Sequence, residues 1–285
     1  MEMRVSESVA LMLRGAVERV ASEPERCARS PGRDFTRSRK LPLAELLWLL
    51  VTMGTDTLGM ELLRASGMSR EAPSVSALCQ QWAKLSDDAP RRVLGEFLSM
   101  FPPTPFRGRY RLLAADGTDL DIAPDPSDRR TRMPPARGSD GHNEAHLTCA
   151  FDLVRRTFED MVAQGGREKD EFAGLCELVD RCDPGDGLVA LWVADRGFCS
   201  YNVLAHMALA GASYVIRASD SRASAILGRD VSGEGEIDEV AELCVVRRLS
   251  ARTRPQEPLL YRLLRPQRTF DPLPPGAKSA VAAKV

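Results

Sequence analysis

The sequence predicts an α/β fold, a mixed sheet with flanking helices preceded by a small all-helical amino-terminal domain. Three observations carry that prediction. Apolar residues recur at helical spacing through the first hundred residues, and a proline-rich stretch, "FPPTPFRGRY", then interrupts any regular element. Beyond it, short alternating or wholly apolar runs are interleaved with amphipathic segments of helix length. With 285 residues and 44% hydrophobic content, the chain can bury the cores of one large or two ordinary domains.

In the first region, Leu43, Leu46, Leu47, Leu50 and Val51 line one helix face, and Gly54 stands where that helix would stop. A second helix follows from "SVSALCQQWAKL", where Val75, Leu78, Cys79, Trp82 and Leu85 repeat behind cap candidates Ser74 and Ser76. The third is "PRRVLGEFLSMF", with Pro90 in the first turn and Phe97 four residues from Phe101. These stripes read as core packing, which gives a bundle of three short helices. In "DFTRSRKLP", Arg37, Arg39 and Lys40 precede a helix, where they form either a solvated entry loop or an edge that touches phosphates.

From Arg111, "RLLAADGTDLDIA" sets Thr118, Leu120 and Ile122 against Asp119 and Asp121, and Asp116-Gly117 reads as a turn between two strands. "HLTCAFDLV" and "TFEDMVAQ" read as further strands. A helix over "REKDEFAGLCELVDRC" turns Phe172, Leu175, Cys176 and Val179 inward, and Glu168, Glu171 and Glu177 to solvent. "LVALWVAD" is short and apolar enough to be a strand buried on both faces. Ser200 caps a helix through Val203, Leu204 and Met207 that ends by Gly211, and "ASYVIRAS" is the next strand.

Signals weaken after Ser219, and the tail from about residue 266 reads as disordered. The expected domains are residues 1–103, helical, and 104–285, carrying the sheet.

Charge does not name a partner. Thirty-nine basic and forty acidic side chains nearly cancel, so any nucleic-acid site must come from local clustering, as in the basic stretch beyond Leu243. Seven cysteines, odd in number and without a Cys-x-x-Cys pair, read as reduced thiols. The longest apolar run contains Glu45 and is too short to span a bilayer, and Glu2 and Glu7 stand where a signal peptide needs positive charge. A cytoplasmic protein is expected.

Two carboxylates stand at strand ends, Asp116 and Asp195. If their strands are neighbours, both acids meet at one rim of the sheet. Ionised at about 4 Å, they would repel by about 4 kcal/mol at an effective dielectric near 20, so a proton or a cation must relieve them. Oxygen donors without histidine or cysteine favour magnesium or manganese, and a carboxylate-held metal pair is suited to phosphodiester displacement. His142 and His146 are four apart in a loop entering a strand, where that spacing gives no common face. The plainer alternative is that Asp-Gly-Thr is only a turn and Asp-Arg-Gly only the start of a helix loop.

The segments "DFTRSRKLP", "VTMGTDTLGMELL", "SVSALCQQWAKL", "DGTDLDIA", "NEAHLTCAFDL" and "ADRGFCSYNVLAHMALAGASYVIRAS" resemble, in this order, DDE transposases of the insertion-sequence IS-4 type, over residues 34 to 218. The resemblance implies an RNase H-like catalytic domain behind a helical DNA-binding region, two divalent ions (Mg2+ or Mn2+), and cutting and joining of DNA at transposon ends. It implies that Asp116 and Asp195 are the first two catalytic, metal-binding acids. Gly197 would let the backbone turn sharply and Arg196 would hold a DNA phosphate.

A bacterial, nucleoid-associated protein is implied too, acting as a homodimer or paired with a full-length copy. The family's third acid lies in a Tyr-x-x-Arg-x-x-x-Glu helix, whereas Tyr261 is followed by Leu264 and Arg268 at those spacings. Glu234, Glu236, Glu239 and Glu242 are substitutes by composition only. A truncated copy with weak or no activity is therefore expected. The alternatives are a non-catalytic protein that occupies transposon ends or inhibits the full-length enzyme, and an RNase H-like nuclease of another substrate.

Overall fold

A computed structural model describes residues 5–37, 41–135, 140–232, 240–244 and 280–284. The chain divides into two compact units, Met1–Pro102 and Pro103–Val285. No helix among the described residues is long and apolar enough to cross a membrane.

The first unit holds helices α1 (Val5–Ala21), α2 (Pro24–Cys27), α3 (Leu43–Thr52), α4 (Leu58–Ala65), α5 (Val75–Trp82) and α6 (Ala89–Leu98). Three of these correspond to the expected helices. Helices α1, α2 and α4 were not expected; the inner stripe of α1 is built partly of small residues, with Ala16 and Val17 buried while Leu11 is 61% exposed. Leu13, Val20 and Ala21 pack against the core beside Val17, and Arg14 pairs with Glu18 and Glu45 and Arg19 with Glu96 at the surface. Val17, Leu46, Leu47, Leu78, Leu85 and Val93 form the core.

The expected face of α5 is corrected. Leu78 and Leu85 are buried, but so is Gln81, while Val75, Cys79 and Trp82 are exposed. Helical spacing permits either 81 or 82 on the inner face. Here the amide is chosen, and its Oε1 accepts from Lys84 Nζ at 3.3 Å.

The second unit is built on a five-stranded sheet in the order β3-β2-β1-β4-β5. Its strands are β1 (Tyr110–Ile122), β2 (Asn143–Asp152), β3 (Thr157–Gly165), β4 (Val189–Ala194) and β5 (Ser213–Ile216). β1, β2 and β3 pair antiparallel, whereas β1, β4 and β5 run parallel. Parallel neighbours require crossover connections, supplied here by α7 (Glu171–Arg181) and α8 (Tyr201–Leu209). This mixed sheet with flanking helices is the α/β, RNase H-like arrangement that the sequence predicts.

After β5 comes α9 (Asp220–Leu227), capped by Ser219, which accepts from Arg222 N, and ended at Gly228 in the left-handed region. The weakening signals beyond Ser219 concealed it. A second sheet pairs β6 (Val240–Cys244) with β7 (Ala280–Lys284). β7 falls within the stretch expected to be disordered, and the remainder of that stretch lies outside the described residues.

One expectation is overturned. Asp116-Gly117 is not a turn, because β1 runs straight through it and Gly117 pairs with Thr148. Asp-Gly signals a hairpin through its tolerance of left-handed backbone, but Gly117 stays outside that region. The chain instead leaves β1 after Ile122 and returns as β2 only at Asn143.

Alternation along the strands fixes two unlike faces. Leu113, Ala115, Trp192 and Ala194 point to one side and share a core with Leu175 and Val179 of α7 and Val203 and Met207 of α8. Leu112, Ala114, Leu191 and Val193 therefore point the other way. On the helix side, α7 approaches so closely that a Cβ on Gly174 would lie 2.5 Å from Thr148 Oγ1. Gly174→Ala is expected to lower stability by about 1–3 kcal/mol through this overpacking. Urea unfolding followed by circular dichroism checks it, and an unchanged midpoint would refute it.

Candidate active site

The register of β1 with β4 ends at Ala115 opposite Ala194. The next residue on each chain is an acid: Asp116 stands within β1 where that strand passes the end of β4, and Asp195 directly follows β4, on parallel backbones about 4.8 Å apart. Asp195 is still extended (φ −76°, ψ 178°), so the alternation carries through it. Both acids follow a buried alanine, and both belong to the face opposite α7 and α8.

Each carboxylate is oriented by a backbone N–H close behind it in the chain. Asp116 Oδ1 accepts from Gly117 N at 2.8 Å, and Asp195 Oδ1 accepts from Gly197 N at 2.8 Å. Among the described residues, neither Oδ2 has a hydrogen-bond partner. Both acids are exposed, so the second oxygens remain available to a ligand.

Asp195 caps a 3-10 turn, Arg196–Phe198. Phe198 is anchored in the core while Arg196 is exposed beside the acid. Ser200 then starts α8 by accepting from Val203 N. The glycine here serves another purpose than the one expected. Gly197 does not take a left-handed φ, but a Cβ on it would sit 2.9 Å from Asp195 Oδ1, so its missing side chain makes room for the carboxylate.

Cys149 lies opposite Asp116 in the β1–β2 register. Burial pushes its thiol pKa up, and the Asp116 charge pushes it further in the same direction. The thiol thus stays protonated near neutrality, which leaves the acids as an oxygen-only donor set.

A second charged cluster lies on the helix-covered face. His146 is fully buried, with Nδ1 2.5 Å from Asp119 Oδ1 and Nε2 3.6 Å from Glu171 Oε1. Lys169 Nζ is 3.1 Å from Asp119 and 3.3 Å from Glu171. The His146 hydrogen bond, and then that of Lys169, hold the Asp119 carboxyl below its usual range.

Sequence reading missed this cluster because it depends on register. Only the pairing of Asp119 with His146 shows that they share a face. Glu171 accordingly does more than face solvent, whereas Glu168 and Glu177 are the half-exposed partners of Arg130 and Arg181. His142 stands just before β2. It is exposed, and with Asp121 and Glu144 it forms a group whose ligand atoms lie within 4.8 Å of one another, close enough to hold a cation.

The remaining expected residues are not gathered here. Arg37 belongs to the first unit, where with Arg33 and Lys84 it lines an open cleft of ≈ 630 Å³. Arg39, Lys40, Glu234, Glu236, Glu239, Tyr261, Leu264 and Arg268 lie outside the described residues. Glu242 lies on β6, where its backbone pairs with Ala282.

The family model described as a transposase DDE domain matches residues 107–268, more than half of the chain. The chain belongs to the DDE transposase family. A comparison with curated proteins found no match. The matched span of this transposase contains Asp116, Asp195 and the whole five-stranded sheet.

The proximity of Cys149 to Asp116 gives a direct test of the geometry. Removing the negative charge with Asp116→Asn should lower the Cys149 pKa while burial still holds it up, so more thiolate forms at pH 8. Alkylation of Cys149 by iodoacetamide, resolved by peptide mass spectrometry, is expected to quicken by about two- to fivefold. An unchanged rate would show that the carboxylate does not act on the thiol.

Proposed function

We propose that this chain is a transposase of the insertion-sequence IS-4 type that binds transposon-end DNA and cuts and joins strands by metal-dependent phosphodiester transfer. The observation that carries this reading is the side-by-side emergence of Asp116 and Asp195 from paired parallel strands. Two carboxylates with unengaged second oxygens, beside a thiol kept protonated, suit a hard, oxygen-seeking divalent ion such as Mg2+ or Mn2+. Such an ion, when bound, lowers the pKa of an attacking hydroxyl and stabilises the leaving oxygen.

The protein's own groups supply the rest. Asp116 and Asp195 are the catalytic, metal-holding residues, each turned by the glycine N–H beside it. Arg196, exposed next to Asp195, holds the DNA phosphate so that the scissile bond stays over the pair. In the helical first unit, Arg37, Arg39 and Lys40 bind the DNA backbone without reading its sequence. A dimer, of this chain with itself or with a full-length copy, brings two ends together.

The Tyr261, Leu264, Arg268 spacing departs from the third-acid pattern that the resemblance implies, which supports weak or absent cleavage. It also favours a second reading, a DNA-binding protein that occupies transposon ends or inhibits a full-length transposase.

Filter binding and nicking assays on end DNA separate the two readings. Affinity is expected to fall by on the order of 10³ between 50 and 200 mM salt if about six phosphates are contacted. Cleavage that needs Mg2+ and is lost in Asp116→Asn and Asp195→Asn supports the enzyme. Salt-dependent binding indifferent to Mg2+ and to both substitutions supports the inhibitor, and a chain that does not bind DNA refutes both.

A further inference from the structure

We propose that His146 is a positioning residue for Asp116, its buried imidazole fixing the stretch of backbone from which that carboxylate projects. The proposal rests on the reading of Asp116 as a metal-holding acid. Four observations lead to it.

The first is a gap in support. β4 stops at Ala194, so from Asp116 to Ile122 the strand β1 is laddered only to β2 among the described strands. Asp116 therefore sits at the point where β1 loses a neighbour. Whatever packs beneath it on the helix side replaces the missing constraint.

The second is what packs there. A Cβ on Gly117 would lie 2.9 Å from His146 Cε1, 3.0 Å from His146 Nε2 and 3.0 Å from Glu171 Oε1. The imidazole thus lies directly against the peptide that follows Asp116, with no room for even a methyl group between them.

The third is that the ring is held. His146 is 0% exposed, and its Nδ1 is bonded to Asp119 at 2.5 Å. Its Nε2 is buried without a hydrogen-bond partner and faces the Glu171 carboxylate. Lys169 bridges Asp119 to Glu171 from outside, and Gln164 ties the start of α7 to β3 through both backbone groups of Asp170. β1, β2, β3 and α7 are thereby joined around one imidazole.

The fourth connects the ring to the carboxylate. Gly117 N is the donor that orients Asp116 Oδ1. The tilt of the Gly117 peptide, set by the ring beneath it, therefore sets the direction of the acid. His146 is fully enclosed by protein, and it acts through Gly117.

Two substitutions separate positioning from mere filling of space. His146→Phe occupies the volume without a donor, whereas His146→Asn keeps a donor within reach of Asp119. Hydrogen exchange by mass spectrometry compares residues 114–120 with residues 189–194 in the full chain. In His146→Phe, exchange over 114–120 is expected to rise about tenfold with 189–194 unchanged, and His146→Asn to stay within about threefold of the parent. Mn2+ titration followed by electron paramagnetic resonance is expected to show about tenfold weaker binding in His146→Phe and recovery in His146→Asn.

The proposal is overturned if His146→Phe exchanges like the parent, if both segments loosen alike, or if Asn fails where Phe fails. Should His146→Phe not fold, Gly117→Ala takes its place. Its added methyl should loosen 114–120 when His146 is present and have a smaller effect beside His146→Ala, and additive effects would sink the idea. If Asp116→Asn leaves Mn2+ binding untouched, the metal-holding reading fails, while the exchange comparison still decides whether His146 fixes the strand.

Discussion

The parallel pairing of β1 with β4 is the constraint on which the rest of the second unit depends. It sets Ala115 against Ala194 and so brings two carboxylates out of the sheet together. Like charges on neighbouring strands are unfavourable unless water or a counterion relieves them. The arrangement is tolerated because both acids are exposed, and it is maintained because the strands behind them are not. Leu113, Ala115, Trp192 and Ala194 lie in a core closed by α7 and α8. A one-residue slip of β4 would turn that apolar set outward, so burial of the alanines enforces the meeting of the acids.

The opposite end of β1 is fixed by charge as well. Arg111 bonds Asp152 at 3.4 Å and also pairs with Glu159, and all three side chains are largely buried. Breaking such a pair by removing one partner costs far more than replacing both, because an unmatched charge is left in a poor solvent. Arg111 thus holds the start of the strand against β2 and β3, as His146 does near its exposed end. Between these two points β1 has little freedom to shift along its neighbours.

Much of this was legible in the sequence. The helical and sheet-bearing regions, the strand "LVALWVAD", the Ser200 cap and the place of Asp195 at the end of β4 all follow from local periodicity and capping chemistry, which neighbouring residues decide. What stayed hidden depends on pairing. Asp116-Gly117 looked like a hairpin turn because a dipeptide cannot announce that its strand continues on a partner thirty residues away. His146 and Glu171 carried no signal, since alternation assigns each to a face only after the register is known. The glycines at 117 and 197 suggested backbone freedom, yet both are explained by what occupies the space where a Cβ would be. Helix α1 was hidden for a different reason: its inward stripe of Leu13, Ala16, Val17, Val20 and Ala21 is short and interrupted by small residues, and Leu11 and Val9 stand exposed beside it.

The outer half of β1 has a consequence for self-association. Past Ala115 it outruns β4, and on that side its backbone groups meet no other described strand. Leu120 and Ile122 are exposed there at 44% and 40%. An unpaired strand with exposed aliphatic residues is the kind of edge that recruits a strand from another molecule. Asp116, Asp119 and Asp121 interrupt this one, and a second copy aligned against it would bring carboxylates together along its length. Like-charge repulsion along "DGTDLDI" therefore disfavours a second copy pairing with this stretch of β1.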